Sequence, residues 1–534
     1  MTQKAITASQ TAALTSLARK CTTLSQLKQL HAHILKVHLP EKNPSAIGPL
    51  LSVAATSGDP SFFSYACSIF EHLRCRNTFM YNTMIRGYVQ SGSPVAAVSL
   101  YLAMLSSGVE GNNYTFPPLI KACIVMGPDS KSIGLLVHAH VVKFGYHVDP
   151  FVVSALIEFY SSVCDLENAR KLFDRTTERD VVTWTALVDG YGKAGDLENA
   201  RLLFDEMPKR NVISWSAMMA AYSRVSDFKE VLSLFRQMQE VGFEPNESVL
   251  VSVLTACAHL GAVTQGLWVH SYAKRVNFIS NRILATALVD MYSRCGLVDL
   301  ALSVFHNISD KDAEAWNAMI AGVALNGDAE KSLELFKKMI ARGTQPTETT
   351  FVALLTAYTH AKMTKEGLKL FKEINNVHGV QPKSEHFACI VDLLARSGMV
   401  EEAEKFMEEK IGGLGGADAN VWGALLHACR VYGNVELGNR IWKKLTDMGI
   451  TDSGTHVLSY NIYKQAGWEN QANHLRKLIS DARMKKLPGC SVIEVNGAVK
   501  EFRAGDFCHP QALEMCRLLD SFLRMVNLEE FYFS

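Results

Sequence analysis

The stretch that decides the fold is residues 181–211, VVTWTALVDGYGKAGDLENARLLFDEMPKRN. Val182, Trp184, Leu187, Val188 and Tyr191 recur at helical spacing, so the first half predicts an amphipathic helix. Gly192 and Gly195 are expected to break it. Asp196 then stands as the N-cap of a second helix, with Leu197, Ala200, Phe204 and Met207 along one face. Pro208-Lys209-Arg210-Asn211 closes the unit. Two such short helices cannot bury their own apolar faces, so the unit must stack on neighbours.

The flanking sequence supplies them. Going toward the N-terminus, units fall at 150–180, 113–149 and 78–112; going the other way, at 212–246, 247–281, 282–312, 313–347, 348–383 and 384–419. Looser units lie near 14–43 and 44–77. Lengths cycle through three kinds. Standard units carry an aromatic-polar pair near the start (Tyr81-Asn82, Trp215-Ser216, Trp316-Asn317). Longer ones carry motifs such as KACIV or TACAH with a VH pair. Units of 31 residues carry ALxxxY and LxxAxxxF. Such an array predicts an all-α right-handed superhelical solenoid of helix-turn-helix repeats, held by nearest-neighbour stacking.

With 534 residues, 48% of them hydrophobic, the chain is too long for one ordinary compact domain. The net charge of +1 gives no global basic excess, although a solenoid can gather charge on one groove. No apolar run reaches membrane-spanning length, so no membrane partner is expected. The twelve cysteines contain no CxxC. Cys123, Cys257 and Cys429 recur at one repeat place, and Cys164 and Cys295 are expected to share another. Recurrence at small-residue places predicts packing rather than metal or disulfides, in a reducing compartment. No cofactor is implied. His31, His138 and His270 also recur, with His33 and His140 two residues on; an i,i+2 pair does not share a helical face, so packing is expected of them too.

Residues 1–13 are without acidic residues, and none occurs before Glu41. Lys4, Arg19, Lys20, Lys28 and Lys36 among Ser and Thr suit an organelle-targeting segment. Beyond the array, residues 420–489 remain helix pairs with ten Lys/Arg against five Asp/Glu. Residues 490–534 hold four against seven. There, CSVIEVNGAVKEFRAGD predicts a two-stranded hairpin around Asn496-Gly497, and a last helix is expected over about Gln511–Met525.

The ordered standard, long and short units resemble the P, L and S repeats of the plant pentatricopeptide repeat family, PLS subclass, over roughly residues 14–534. VWGALLHACRVYGNVELG, SYNIYKQAGW and KKLPGCSVIEVNGAVKEF, with His509-Pro510 beyond, resemble its E and E-plus extensions. The resemblance implies sequence-specific binding of single-stranded organellar RNA, and for E-class members C-to-U editing. It implies that each unit reads one base with its fifth and last residues, the base being sandwiched by apolar neighbours.

Carried onto this chain, Asn82 with Asn112 implies a pyrimidine, preferably C. Ser154 with Asp180 implies G, Thr185 with Asn211 A, and Ser216 with Asn246 A. Thr286 with Asp312 implies G, and Asn317 with Thr347 a pyrimidine, although Thr347 departs from the usual Asn or Asp. The long units carry Pro117/Asp149, Val251/Asn281 and Val352/Lys383, whose fifth residues cannot hydrogen-bond through the side chain. The implied RNA is 5′-Y-n-G-A-A-n-G-Y-n-n-3′, upstream of an edited cytidine. Each of these polar residues taken singly is also an ordinary helix cap or turn residue; recurrence in fixed register is what favours reading.

A zinc deaminase needs H-x-E with PCxxC. The segment after Pro488-Gly489 has neither; Cys490, Cys508 and Cys516 lack ligand spacing, and no phosphate loop or nucleophile elbow occurs. The chain is therefore expected to be no enzyme but a recognition factor that recruits a deaminase in trans through its C-terminal extension. Mitochondrion is expected, with chloroplast the alternative. A splicing or transcript-stability factor and a tetratricopeptide-like protein scaffold remain as other readings.

Overall fold

The computed structural model describes residues 16–36, 47–410, 419–447, 449, 453–481, 490–495, 498–503 and 511–532, except 19, 22, 74, 177 and 178. The proposed targeting segment, Pro488-Gly489, Asn496-Gly497 and His509-Pro510 lie outside these residues.

In the unit at 181–211 the first helix is Val181–Ala194 and the second Leu197–Glu206. Gly195 ends the first in the left-handed region, with φ 81°, where a side chain would be strained. Asp196 accepts the Asn199 N–H at 3.1 Å and starts the second. Gly192 does not break the helix as expected; it lies inside it. A Cβ there would stand 2.5 Å from the Ala221 Cβ of the next unit, so this glycine serves close helix approach. Val182 also departs from its expected place in the core: it is 59% exposed, whereas Trp184, Leu187, Val188 and Tyr191 are buried.

The same hairpin recurs. Two bodies divide the chain, Met1–Glu244 and Pro245–Ser534. The first contains the pairs Thr78–Gln90 with Pro94–Ser106, Phe116–Met126 with Lys131–Lys143, Pro150–Ser162 with Leu166–Arg175, and Val212–Arg224 with Phe228–Glu240. The earlier looser unit forms Gly48–Ala55 and Pro60–His72. The second body continues with Glu247–Leu260, Arg282–Arg294, Ala313–Leu325, Glu348–His360 and Ser384–Arg396 as first helices, each followed by its partner. Two more pairs run to Asp481. Within each body, first helices pack on the first helices of the next unit. The fold is thus an all-α solenoid of helix-turn-helix repeats, and its core is a continuous seam of small patches.

A recurring staple fixes three of the junctions. Phe173 meets Trp184 edge-on at 4.7 Å, Phe204 meets Trp215 at 4.9 Å, and Phe305 meets Trp316 at 4.9 Å. Arg179 and Arg210 lie over the same phenylalanine rings at 4.5 and 4.8 Å. Their Nε atoms donate to the Phe173 and Phe204 carbonyls at 3.1 and 3.0 Å, satisfying open C-terminal acceptors of the preceding helix. Each arginine immediately precedes the last residue of its unit, so the staple sets where Asp180 and Asn211 stand.

Among the described residues the cysteines are free, and Cys123, Cys257 and Cys429 are buried. Burial pushes the Cys123 thiol up to about 11 and those of Cys257 and Cys429 to about 12, so they stay protonated. Cys164 and Cys295 do not share a place. Cys164 takes the left-handed position, φ 57°, that Gly296 takes with φ 78° one residue after Cys295.

The C-terminal strands are β1, Cys490–Val495, and β2, Ala498–Arg503, antiparallel with Val495 opposite Ala498. Glu494 accepts the Thr264 N–H at 2.9 Å, at the start of helix Val263–Arg275. The last helix, Ala512–Tyr532, runs seven residues beyond its expected end. Among the described residues no helix is long and apolar enough to cross a membrane.

Candidate nucleic-acid interface

The last residue of a unit is the N-cap of the next unit's first helix. Asp180 Oδ1 accepts the Thr183 N–H at 2.8 Å, Asn211 Oδ1 the Ser214 N–H at 2.9 Å, Asn246 Oδ1 the Val249 N–H at 3.0 Å, and Asp312 Oδ1 the Ala315 N–H at 3.0 Å. Capping uses one side-chain atom and leaves the other, Oδ2 or Nδ2, for a second purpose. The fifth residue lies one turn inside the preceding first helix.

In two units the two are joined directly. Asn82 Nδ2 donates to Asn112 Oδ1 at 2.9 Å, and Asn317 Nδ2 to Thr347 Oγ1 at 2.9 Å. A third side chain completes each pair, one that the sequence reading did not single out. Thr115 Oγ1 donates to Asn82 Oδ1 at 2.7 Å and Thr350 Oγ1 to Asn317 Oδ1 at 2.5 Å. In the 150–180 unit, Thr183 Oγ1 donates to Asp180 Oδ1 and contacts Ser154 Oγ, both at 2.7 Å. These threonines are third residues of the following unit. The recurrence of Ser or Thr there, at Thr115, Thr183, Ser214 and Thr350, was the available signal.

The hydrogen-bond inventory fixes what each pair presents. Thr183 must give its proton to the Asp180 carboxylate, so Ser154 donates to Thr183. Ser154 is left with acceptor lone pairs, and among the described residues Asp180 Oδ2 has no partner. Acceptor stands beside acceptor. Thr185 donates its proton to the Val181 carbonyl at 2.7 Å and keeps acceptor capacity, while Asn211 Nδ2 is a donor with no partner among the described residues. Acceptor here stands beside donor. At Asn82 and Asn112 both carbonyl oxygens are engaged, and N–H donors remain.

Asn82, Ser154, Ser216 and Asn317 are only 6–8% exposed, so they form a floor. Thr185 and Thr286 are half-buried. Walls rise at the second residue of six units, whereas Ser248, Glu314, Thr349 and Glu385 hold that place in the others. Phe79, Tyr114, Phe151, Val182, Ile213 and Ile283 are 53–71% exposed, all large and apolar. Second and fifth residues sit three apart on a helix and share a face. The sequence reading placed Val182 in the core and missed this row, because a short amphipathic helix with apolar residues on two faces has no single stripe. Ser216 lies in the last first-helix of the first body; Asn246 opens the second.

The recurring histidines hydrogen-bond tyrosines. His31 Nδ1 meets Tyr65 Oη at 2.8 Å, His138 meets Tyr160 at 2.7 Å, and His270 meets Tyr292 at 2.7 Å. His140 bonds Tyr101 at 2.9 Å, on the side opposite from Tyr160, and His33 is exposed. The H-x-H pairs therefore diverge. Among the described residues no group of His, Cys, Asp or Glu is arranged to hold a metal.

The model of the PPR repeat family matches residues 76–124, 210–259 and 311–360. The PPR repeat model matches 182–212, 284–312, 349–376 and 386–411. A pentatricopeptide repeat-containing protein of Arabidopsis thaliana is 43% identical over 93% of this chain and 79% of its own length. The chain belongs to the pentatricopeptide repeat family. The E motif model matches residues 432–494, consistent with an E-type member of the PLS subclass. A second Arabidopsis relative, named as chloroplastic, is 40% identical over 97% of this chain and 93% of its own. A third, named as mitochondrial, is 38% identical over 90% and 69%. The crystal structure of the maize pentatricopeptide repeat protein PPR10 aligns with 89% of this chain and 80% of that one, at 16% identity and a TM-score of 0.49.

Proposed function

We propose that this pentatricopeptide repeat protein binds single-stranded RNA of an organelle in a sequence-specific way, selects a site for C-to-U editing, and recruits the deaminase as a separate protein. The observation that carries the reading is the row of exposed apolar second residues beside satisfied polar pairs. The five such side chains of the first body, from Phe79 to Ile213, stand exposed in register, as suits flat ligands inserting between them.

The pairs match base edges. Ser154 and Asp180 offer two acceptors, the complement of the guanine N1–H and N2–H. Thr185 offers an acceptor and Asn211 a donor, the complement of adenine N6–H and N1. Asn82 and Asn112 offer donors, which suit cytosine N3 and O2. Thr286 with Asp312 belongs with guanine, and Asn317 with Thr347 with a pyrimidine. Toward the C-terminal end of the array, a cavity of about 620 Å³ carries Lys362, His360, His427 and the Arg396–Asp392 ion pair on its lining, a place where Lys362 can meet RNA phosphate.

The chemistry belongs to the partner. Leu513, Leu518, Leu519, Phe522 and Met525 of the last helix are 55–70% exposed, and this segment is acidic, as suits a protein-docking element. We assign residues 1–13 to targeting, 14–419 to the reading array, 420–489 to the E-type repeats and 490–534 to partner docking. The relatives' names include both organelles; we favour the mitochondrion. Removal of residues 490–534 tests the division of labour: RNA binding should persist and editing of the target cytidine should cease. Loss of both would overturn it.

A further inference from the structure

The first residue of a unit stands beside its last, because both lie at the N-terminal ends of consecutive stacked first helices. In three units a polar first residue takes hold of the last, whereas Glu247 is not paired with Asn281 among the described residues. Asn113 Nδ2 donates to Asp149 Oδ2 at 3.1 Å, and Lys383 Nζ pairs with Glu348 Oε2 at 2.6 Å. In the 282–312 unit, Arg282 Nε donates to Asp312 Oδ2 at 2.9 Å, and its guanidinium also reaches Asp310 at 3.8 Å. Where the first residue is Pro150, Val181 or Ala313, the side chain has no polar atom with which to do so.

Two units therefore make a natural comparison. Both 150–180 and 282–312 have a hydroxyl at the fifth place and aspartate at the last. In the first, Asp180 Oδ2 is open and Thr183 ties Ser154 to Asp180. In the second, Asp312 spends Oδ1 on the Ala315 N–H and Oδ2 on Arg282. Ala315 stands where Thr183 stands, so the relay to Thr286 is missing as well.

We propose that Arg282 is a specificity-determining residue that occupies the base-facing oxygen of Asp312 and so makes this unit a permissive reader, while the 150–180 unit reads guanine stringently. The inference rests on the base-reading function proposed above. A guanine at the 282–312 unit must share Oδ2 with the guanidinium or displace it, and adenine loses less there. The ion pair is half-exposed, so its hold is modest and the effect is one of tuning.

The experiment measures binding of the full chain to RNAs carrying G or A at one of the two register places at a time. For the unaltered protein, G over A should be favoured several-fold more strongly opposite 150–180 than opposite 282–312. Arg282→Ala should raise discrimination at its own place by about threefold and leave the other unchanged. Arg282→Lys should restore permissiveness in part, and Pro150→Arg should lower discrimination opposite 150–180. If the unaltered chain discriminates at 150–180 but Arg282→Ala changes nothing, the inference fails and base reading stands. If it discriminates at neither place, base reading itself fails. A uniform loss of affinity with a shallower salt dependence would make Arg282 a phosphate contact and overturn the proposal.

Discussion

Asn82 donates an amide hydrogen to Asn112 across 2.9 Å, although thirty residues of chain separate them. With Thr115 donating into Asn82 Oδ1, the orientation of both amides is determined, and only N–H groups are left to face outward. Asn112→Asp removes the donor at the last place and puts an acceptor in its stead. The expected result is a switch from C toward U opposite the 78–112 unit, by about tenfold in relative affinity. Competition binding with the two RNAs measures it, and equal preference before and after the change would count against this pair as a reader.

Thr183 joins two roles, as partner of the cap residue Asp180 and as acceptor for Ser154. Thr183→Val keeps the shape and removes the hydroxyl from a fully buried place. It should lower stability by about 1–2 kcal/mol, seen as a lower midpoint in denaturant. It also returns a proton to Ser154, so preference for G over A opposite the 150–180 unit should fall. Lost stability with unaltered preference would reduce Thr183 to a structural residue.

Phe151 gives the converse test. It is 71% exposed and lies in the second place. Phe151→Ala should leave stability within about 0.5 kcal/mol while weakening RNA binding by about tenfold through lost stacking. Both quantities are measurable on one preparation by thermal unfolding and filter binding.

How far the sequence led can be seen at Gly192 and Val182. Repeat spacing, the Asp196 cap and the Gly195 stop were legible, because they depend on local backbone chemistry. Gly192 was not, since its reason is the Ala221 Cβ of another unit, 2.5 Å from where its own Cβ would be. Gly192→Ala should accordingly cost about 1–3 kcal/mol although alanine favours helix; an unchanged unfolding midpoint would show that the approach is not tight. The places of the fifth and last residues in the repeat follow from register, and Thr115, Thr183 and Thr350 recur in the same register, but what those threonines do depends on hydrogen bonds between repeats that no local spacing reveals. The two strands expected on either side of Asn496-Gly497 pair with Val495 opposite Ala498, while those two residues themselves lie outside the described ones.

His270 supplies a pH dependence. Burial pulls its imidazole down from the usual 6.5 to about 4, with Lys274 nearby adding to the effect. The unfolded chain binds the proton more readily than the folded one between those values. The neutral His270–Tyr292 contact therefore contributes fully above about pH 6.5, and its contribution is lost as the pH falls toward 4. The unfolding temperature should drop from pH 7.5 to pH 5, and His270→Phe should flatten that drop. A flat profile in the unaltered protein would contradict the assignment.

If this stack of helices reads RNA base by base, the units at 150–180, 181–211 and 212–246 select the GAA core. Affinity for 5′-Y-n-G-A-A-n-G-Y-n-n-3′ is to be measured against the same RNA with GAA replaced by CUU, at one fixed salt concentration. Binding to the first should be tight, with a loss of at least about tenfold for the second. Equal affinity for the two would contradict it.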